Sequence, residues 1–328
     1  MPACAVAASF SHPVAAVEDL REQPLAVRLL SEDWVLWRDA HGTPHAAPDR
    51  CPHRGTRLSL GRVCQGELQC PYHGWRFAAD GRCTQVPAVP GFVPPATHGL
   101  NTVALTPAHG LLWLRPDGGE PHLPAFPAEA DHRLHKLNTV AYDVATSAPR
   151  IIENFLDMAH FSFVHEGWLG DAQHTEVPAY DVQVSAQHGV HATGCQAWQP
   201  QSNVAASGGA WVAYDYAVPA PGAAVLSKQP QGQQDWRESI ALFICPVDEE
   251  RSRVWFRLAV PPGAAADDEL RAFQHTIFTQ DQPVLESQQP RRLPLTDTVA
   301  REVHSSADRS SAAYRRYLRL ISLQFGTC

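Results

Sequence analysis

The chain has 328 residues, 44% of them hydrophobic and 18% charged, with a formal net charge of −8. That composition excludes a disordered chain, and the acidic balance argues against nucleic acid or an anionic membrane as the bulk partner. The length accommodates two ordinary domains, each with its own core.

The opening segment, MPACAVAASFSHPVAAVEDL, has no basic n-region, and Ser9, Ser11, His12 and Pro13 interrupt its apolar run, so neither a signal peptide nor a membrane span is expected. A cytoplasmic location is the resulting expectation. In that reducing setting the eight cysteines are expected to be metal ligands or core residues rather than disulfides. Residues 24–48 read as short antiparallel strands, PLAVRLL and DWVLWRD, with a turn at His41-Gly42-Thr43-Pro44.

Two loops that carry chemistry come next. Cys51-Pro52-His53 and Cys70-Pro71-Tyr72-His73 each put one thiol and one imidazole on a tight turn; sixteen residues separate His53 from Cys70, and Gly55 and Gly74 trail the two motifs. Two sulfurs and two nitrogens could hold a structural zinc, but zinc fingers tend to group like ligands, whereas each loop here carries one of each. Mixed pairs suit a [2Fe-2S] cluster with two Cys on one iron and two His on the other. Cys64 and Cys83 lie outside both patterns and read as small core or surface thiols. Arg50, Arg54, Arg57, Arg62, Arg76 and Arg82 outnumber Asp49, Glu67 and Asp80 here, a local basic excess able to steer an acidic electron donor.

The two loops resemble those of a Rieske domain. Rieske subunits of respiratory complexes carry an extra Cys in each loop and a membrane anchor; Arg54 to Arg57 and Tyr72 stand at the matching positions, so the resemblance is to the ferredoxin or oxygenase kind. The run Gly110 to Arg115 reads as the last strand of this domain, and PHLPAFPAEADHRLHKL as a linker. The expected domains are therefore 1–137 and 138–328.

The second domain opens with a strand, NTVAYDVA, and a helix signalled by Ser147 and Pro149. Asn154, Asp157, His160 and His165 then fall within twelve residues of an otherwise apolar stretch. On a straight helix Asp157 and His160 lie roughly 60° apart, and His160 and His165 roughly 140°. Both histidines can reach one metal only where the helix ends or distorts between them, which Phe161, Phe163, Val164, Gly167 and Gly170 favour. Two His and one carboxylate on one face of an iron leave positions for O2 and substrate.

Residues 175–262 read as a long antiparallel sheet with strands YDVQVSA, GVHATG, GAWVAYDYAVPA, SIALFICPV and RSRVWFRLAV. Trp198, Trp211, Tyr214, Tyr216, Phe243 and Trp255 are candidate pocket walls. Two helices follow, in 267–290 and 307–325. Asp281, just before a Pro that weakens the helix, is one candidate for the third ligand and Glu286 the other; residue chemistry barely separates them.

Asn154-x-x-Asp157-x-x-His160-x4-His165 behind a Rieske domain resembles the catalytic domain of Rieske non-haem iron oxygenases over essentially the whole chain. The length and the QDQPVLESQ stretch resemble the shorter members, the vanillate and dicamba O-demethylases and methylxanthine N-demethylases. The resemblance implies an α+β protein, an N-terminal all-β Rieske [2Fe-2S] domain followed by a catalytic domain whose curved antiparallel sheet is flanked by helices. It implies a [2Fe-2S] cluster on Cys51, His53, Cys70 and His73, and mononuclear Fe(II) on His160, His165 and, by resemblance of its stretch, Asp281. It places Asn154 close to the iron and has Asp157 bridge His160 to a neighbour's His73 in a homotrimer. The activity implied is that of a terminal oxygenase that uses O2 to hydroxylate a methyl group on O or N of a small aromatic or heterocyclic substrate, with loss of formaldehyde. Electrons are expected from a separate NAD(P)H-dependent reductase of flavin or ferredoxin type, since no Gly-rich dinucleotide fingerprint stands in this chain. Ring cis-dihydroxylation at the same iron, and electron carriage without oxygenase activity, are the alternatives.

Overall fold

Alternating apolar runs closed by glycine turns build an all-β first unit, Ala8–Leu123. In the computed structural model, which describes residues 4–204, 206, 208–232, 237–296 and 298–328, its main sheet is antiparallel and six-stranded. The order is His12–Ala16, Leu111–Leu114, Val103–Ala108, Pro44–Pro48, Glu32–Arg38, Leu25–Leu29. A second sheet of four short strands runs from Arg62–Cys64 to Cys83–Gln85, and the second Cys/His loop connects its two middle strands. The core of Val35, Trp37, Leu58, Leu68 and Phe77 includes Cys51 and Cys70 themselves. Each Cys/His loop is thus rooted in apolar interior at its cysteine.

The second unit, Pro124–Cys328 with the few residues before Ala8, is built on an eight-stranded antiparallel sheet. Its order is His135–Asn138, Arg251–Val260, Glu238–Asp248, Ala223–Pro230, Ala210–Ala220, Gly189–Gln199, Asp181–Ser185, with Tyr142–Val144 also on Arg251–Val260. Part of the segment expected as a linker is therefore strand: His135 to Asn138 pair with Val260 to Arg257. The run NTVAYDVA is broken at Thr139, whose N–H donates to the Phe256 carbonyl and whose hydroxyl accepts from the Phe256 N–H. Ala223–Pro230 is a strand that the sequence reading passes over. AAVLSKQP has few β-branched or aromatic residues, yet it pairs on both edges at the centre of the sheet.

Three helices pack on this unit's sheet or on one another, Ala148–Leu156, Asp267–Ser287 and Arg309–Leu320. The long one runs straight through Pro283, where a weakened helix was expected. An interior proline costs about 3 kcal/mol. Burying Ile277, Phe278 and Leu285 on the same helix returns about 1.5–3 kcal/mol for each side chain, so packing wins. Among the described residues no helix is long and apolar enough to cross a membrane.

The helix that leads into the histidines is held from below by ion pairs. Arg150 bonds both oxygens of Glu302, at 3.1 and 2.7 Å; Arg315 of the last helix shares Glu302 and forks onto Glu153 at 2.6 and 2.9 Å. Burial would raise the pKa of Glu302, but the two guanidiniums bring it below the ordinary value. Replacing Arg315 by Met takes the fork from the mostly buried Glu153 and leaves Glu302 with Arg150 alone, and should cost roughly 3 kcal/mol at neutral pH, read as a lower urea midpoint. Because the folded-state pKa of Glu302 is depressed, its pairing stabilises fully above the unfolded value near 4.3 and is lost as pH falls through the folded one. The deficit of the variant should therefore shrink in acid.

Candidate metal centres

The two Cys/His loops share one backbone frame. Gly55 N–H donates to the Cys51 carbonyl at 2.9 Å and Gly74 N–H to the Cys70 carbonyl at 3.1 Å, while the Cys N–H groups donate to Thr56 and Trp75 at 2.8 and 2.9 Å. Both glycines are left-handed, with φ of +74° and +71°, a conformation that any side chain would strain. The frame sets both cysteines inside, each 2% exposed, with His53 half-buried and His73 exposed. The imidazoles lie edge to face 4.5 Å apart, and Trp75 stacks flat on His53 at 4.6 Å.

Burial, with Cys70 alongside, pushes the Cys51 thiol up to about 11. Two adjacent buried thiols resist ionising together unless a cation takes up the charge. Nδ1 of His53 is buried without a hydrogen-bond partner. Burial and the positive neighbours His73, Arg54 and His98 hold its pKa below the ordinary value, which keeps a lone pair available. Paired sulfurs inside and paired nitrogens outside fit a [2Fe-2S] cluster with Cys on one iron and His on the other.

The second centre depends on a break in the chain. The helix stops at Leu156, earlier than the expected turn after His160, and Asp157 caps it. Ala159 N–H bonds Oδ1 of Asp157 at 2.7 Å, turning the backbone into one short helical turn, Phe161–Val164, with His160 at its start and His165 at its end. Gly170 backs onto that turn so closely that a Cβ would lie 2.3 Å from the Phe161 carbonyl carbon. The straight-helix angles therefore do not apply across Asp157, and both rings turn inward.

They meet Asp281 of the long helix. Nε2 of His160, Nε2 of His165 and Oδ1 of Asp281 form a triangle with sides of 3.2, 3.4 and 3.2 Å. Metal–ligand bonds of about 2.1 Å at right angles would separate neighbouring ligand atoms by about 3.0 Å, so the three atoms fit one face of a single ion. The other nitrogen of His165 is hydrogen-bonded, with Oε1 of Gln280 at 2.8 Å from its Nδ1; Nδ1 of His160 faces Oδ2 of Asp157 at 3.3 Å, outside hydrogen-bond geometry. The Gln280 oxygen holds the proton at Nδ1 of His165 and leaves Nε2 its lone pair, and the Asp157 carboxylate favours the same tautomer of His160. Burial would raise the pKa of Asp157, but His160 and the N–H groups of Ala159 and His160 bring it below the ordinary value. Asn154 donates from Nδ2 to the same Asp281 oxygen at 3.4 Å. Glu286, the rival carboxylate, instead accepts from the Ala145 N–H and from Gln282, at 3.1 and 2.9 Å.

The triangle opens onto a cavity that is partly continuous with solvent. Phe155, Ile277 and Phe278 line it from the helices, and Tyr214, Tyr216, Leu226, Ile240, Leu242 and Phe256 from the sheet. Of the candidate walls, only Tyr214 and Tyr216 line it. Phe243 and Trp255 are one position out of phase with Leu242 and Phe256, their neighbours that do, and Trp198 and Trp211 pack on each other elsewhere. The phase was hidden because nine consecutive residues from Glu238 are buried, which erases the alternation that would reveal a face. Two residues with site roles carried no such signal: Gln280, which orients His165, and Lys228, which lines the cavity from the strand that was passed over.

Comparison with known proteins matches residues 10–103 to the Rieske [2Fe-2S] domain and residues 144–321 to the vanillate O-demethylase oxygenase C-terminal domain. A methylxanthine N1-demethylase of Pseudomonas putida is 32% identical over 323 residues, covering 94% of this chain and 88% of the relative. A structure of the Pseudomonas putida CBB5 enzyme NdmA with caffeine superposes with a TM-score of 0.84 at 31% identity, over 97% of this chain and 91% of that one. Dicamba monooxygenase bound to dicamba shares the fold, with a TM-score of 0.79 at 22% identity over 96% and 97%.

Replacing Gln280 by Leu removes the acceptor that fixes the His165 tautomer. The variant should hold iron at the second centre about 10- to 100-fold more weakly in competition with a chelator, with cluster absorbance unchanged.

Proposed function

The chain belongs to the Rieske oxygenases whose C-terminal half is a vanillate O-demethylase oxygenase domain, and from that membership we propose that it is the terminal oxygenase of a multicomponent system removing a methyl group from oxygen or nitrogen of a small aromatic or heterocyclic substrate. The observation that carries this reading is the His160, His165 and Asp281 triangle opening onto an aromatic-walled cavity. A relative named for N-demethylation of methylxanthines supports it.

In this reading Cys51, His53, Cys70 and His73 hold the [2Fe-2S] cluster, and His160, His165 and Asp281 hold mononuclear Fe(II). When bound, the cluster supplies single electrons and the iron supplies open positions for O2 chemistry. Asp157 and Gln280 keep the two Nε2 lone pairs turned toward the ion. Asn154 steadies the Asp281 carboxylate. The phenylalanine walls exclude water and seat the ring with its methyl group toward the three ligand atoms. Hydroxylation of that methyl group yields a hemiacetal or hemiaminal, which breaks down to formaldehyde and the demethylated product.

Electrons come from a separate NAD(P)H-dependent reductase of flavin or ferredoxin type, in the cytoplasm. Among the arginines near the cluster loops, Arg57 bonds Asp33 at 2.8 Å and Arg82 lies 3.8 Å from Asp80, whereas Arg62 bonds the neutral Gln69 side chain at 2.6 Å. Arg62 therefore keeps its field for an acidic donor. The active form is a homotrimer in which Asp157 would bridge a neighbour's His73 and the local His160, giving electrons a route. In support, the Asp157 side chain stays 31% exposed while it faces His160.

Anaerobically purified protein should contain about three irons and about two sulfides per chain, and His160→Ala about two irons with cluster absorbance kept. With a reductase and NAD(P)H, turnover of a methoxy- or N-methyl-arene should release formaldehyde; an arene cis-diol instead would overturn the demethylase reading. Arg62→Glu should slow cluster reduction and flatten its salt dependence, as followed by stopped-flow bleaching; unchanged reduction kinetics would remove Arg62 from the docking surface.

A further inference from the structure

The sheet side of the cavity is not wholly apolar. Tyr214, Lys228 and Glu238 stand directly opposite one another on three adjacent strands, and the next row on the same face is Tyr216, Leu226 and Ile240. Lys228 is 4% exposed and lines the cavity, with its Nζ 3.2 Å from Oε2 of Glu238. Tyr214 accepts from Nε2 of Gln199 at 2.5 Å and retains its own hydrogen to give. The Tyr216 hydroxyl is buried without a partner.

The unmet donors describe the ligand. An ammonium has three N–H bonds, of which one is directed at Glu238, and the Tyr216 O–H has no acceptor. An occupant that leaves these donors unmet forfeits roughly 1–3 kcal/mol for each group stripped of water. The occupant must bring oxygen acceptors. A second carboxylate on Lys228, which already holds Glu238, would bury net negative charge in an apolar cavity, whereas a carbonyl oxygen adds a hydrogen bond and no charge.

Resting on the demethylase reading above, we propose that Lys228, seconded by Tyr216, selects the substrate by donating to a neutral carbonyl oxygen on its ring. Lys228 is then a specificity residue, held in place by Glu238 rather than neutralised for stability alone.

The test is calorimetric titration of the anaerobic holoenzyme with three para-substituted methoxybenzenes alike in size: 4-methoxyacetophenone, 4-methoxybenzoate and 4-isopropylanisole. The ketone should bind at least about tenfold more tightly than either of the others, about 1.4 kcal/mol. In Lys228→Met/Glu238→Gln, which leaves no orphaned charge, the ketone should fall to the level of the isopropyl compound while the latter is unchanged. Tyr216→Phe should lose part of the same preference. Equal binding of ketone and isopropyl compound, tighter binding of the benzoate, a preference that survives the double substitution, or no binding by any of the three would each overturn the proposal. Because binding is read without turnover, selective ketone binding with no formaldehyde on adding reductase and O2 would sink the demethylase reading and leave the role of Lys228 standing.

Discussion

Three polar atoms within 3.4 Å of one another, in a cavity walled by phenylalanine and leucine, are the constraint on which the second unit depends. Left to themselves, two imidazole nitrogens and a carboxylate oxygen so placed would be poorly solvated and mutually ill-matched. A cation bound to all three resolves that. The surrounding parts read as supports for the arrangement. The chain breaks at Asp157 so that two histidines five residues apart can face one point, and Gly170 leaves room for the turn. The long helix that starts at Asp267 carries Asp281 to them. Below, Arg150 and Arg315 clamp the first helix to the last through Glu153 and Glu302.

The first unit solves a similar problem differently. Its two loops have the same hydrogen-bond frame and the same left-handed glycine, but the histidine stands two residues after the cysteine in one and three in the other. Repeating the frame puts sulfur inside and nitrogen outside twice over. The two thiols sit in the core, and the histidines form the edge nearer the solvent. Trp75, stacked on His53, buttresses that edge.

Recognition and oxygen chemistry are divided between layers in the second unit. Helices and the turn between them supply every atom of the triangle, while the sheet supplies the selective wall. Such a division lets the wall vary without disturbing the three atoms of the triangle.

By itself the sequence determined the chemistry that is local. Both Cys/His loops, the spacing of His160 and His165 and most strands were legible, because such loops and turn glycines are short-range patterns. The choice of Asp281 over Glu286 was open in residue chemistry and rested on resemblance; the tertiary structure separates them, since one helix face points Asp281 at the histidines and turns Glu286 toward the Ala145 backbone. The helix break before His160 was hidden because apolar residues continue across it. The cavity wall was hidden because strands buried on both faces lose their alternation, and the strand bearing Lys228 was hidden because its own residues scarcely favour a strand. Pairing on both edges, a contact across tens of residues, is what makes AAVLSKQP a strand and turns its lysine toward the site.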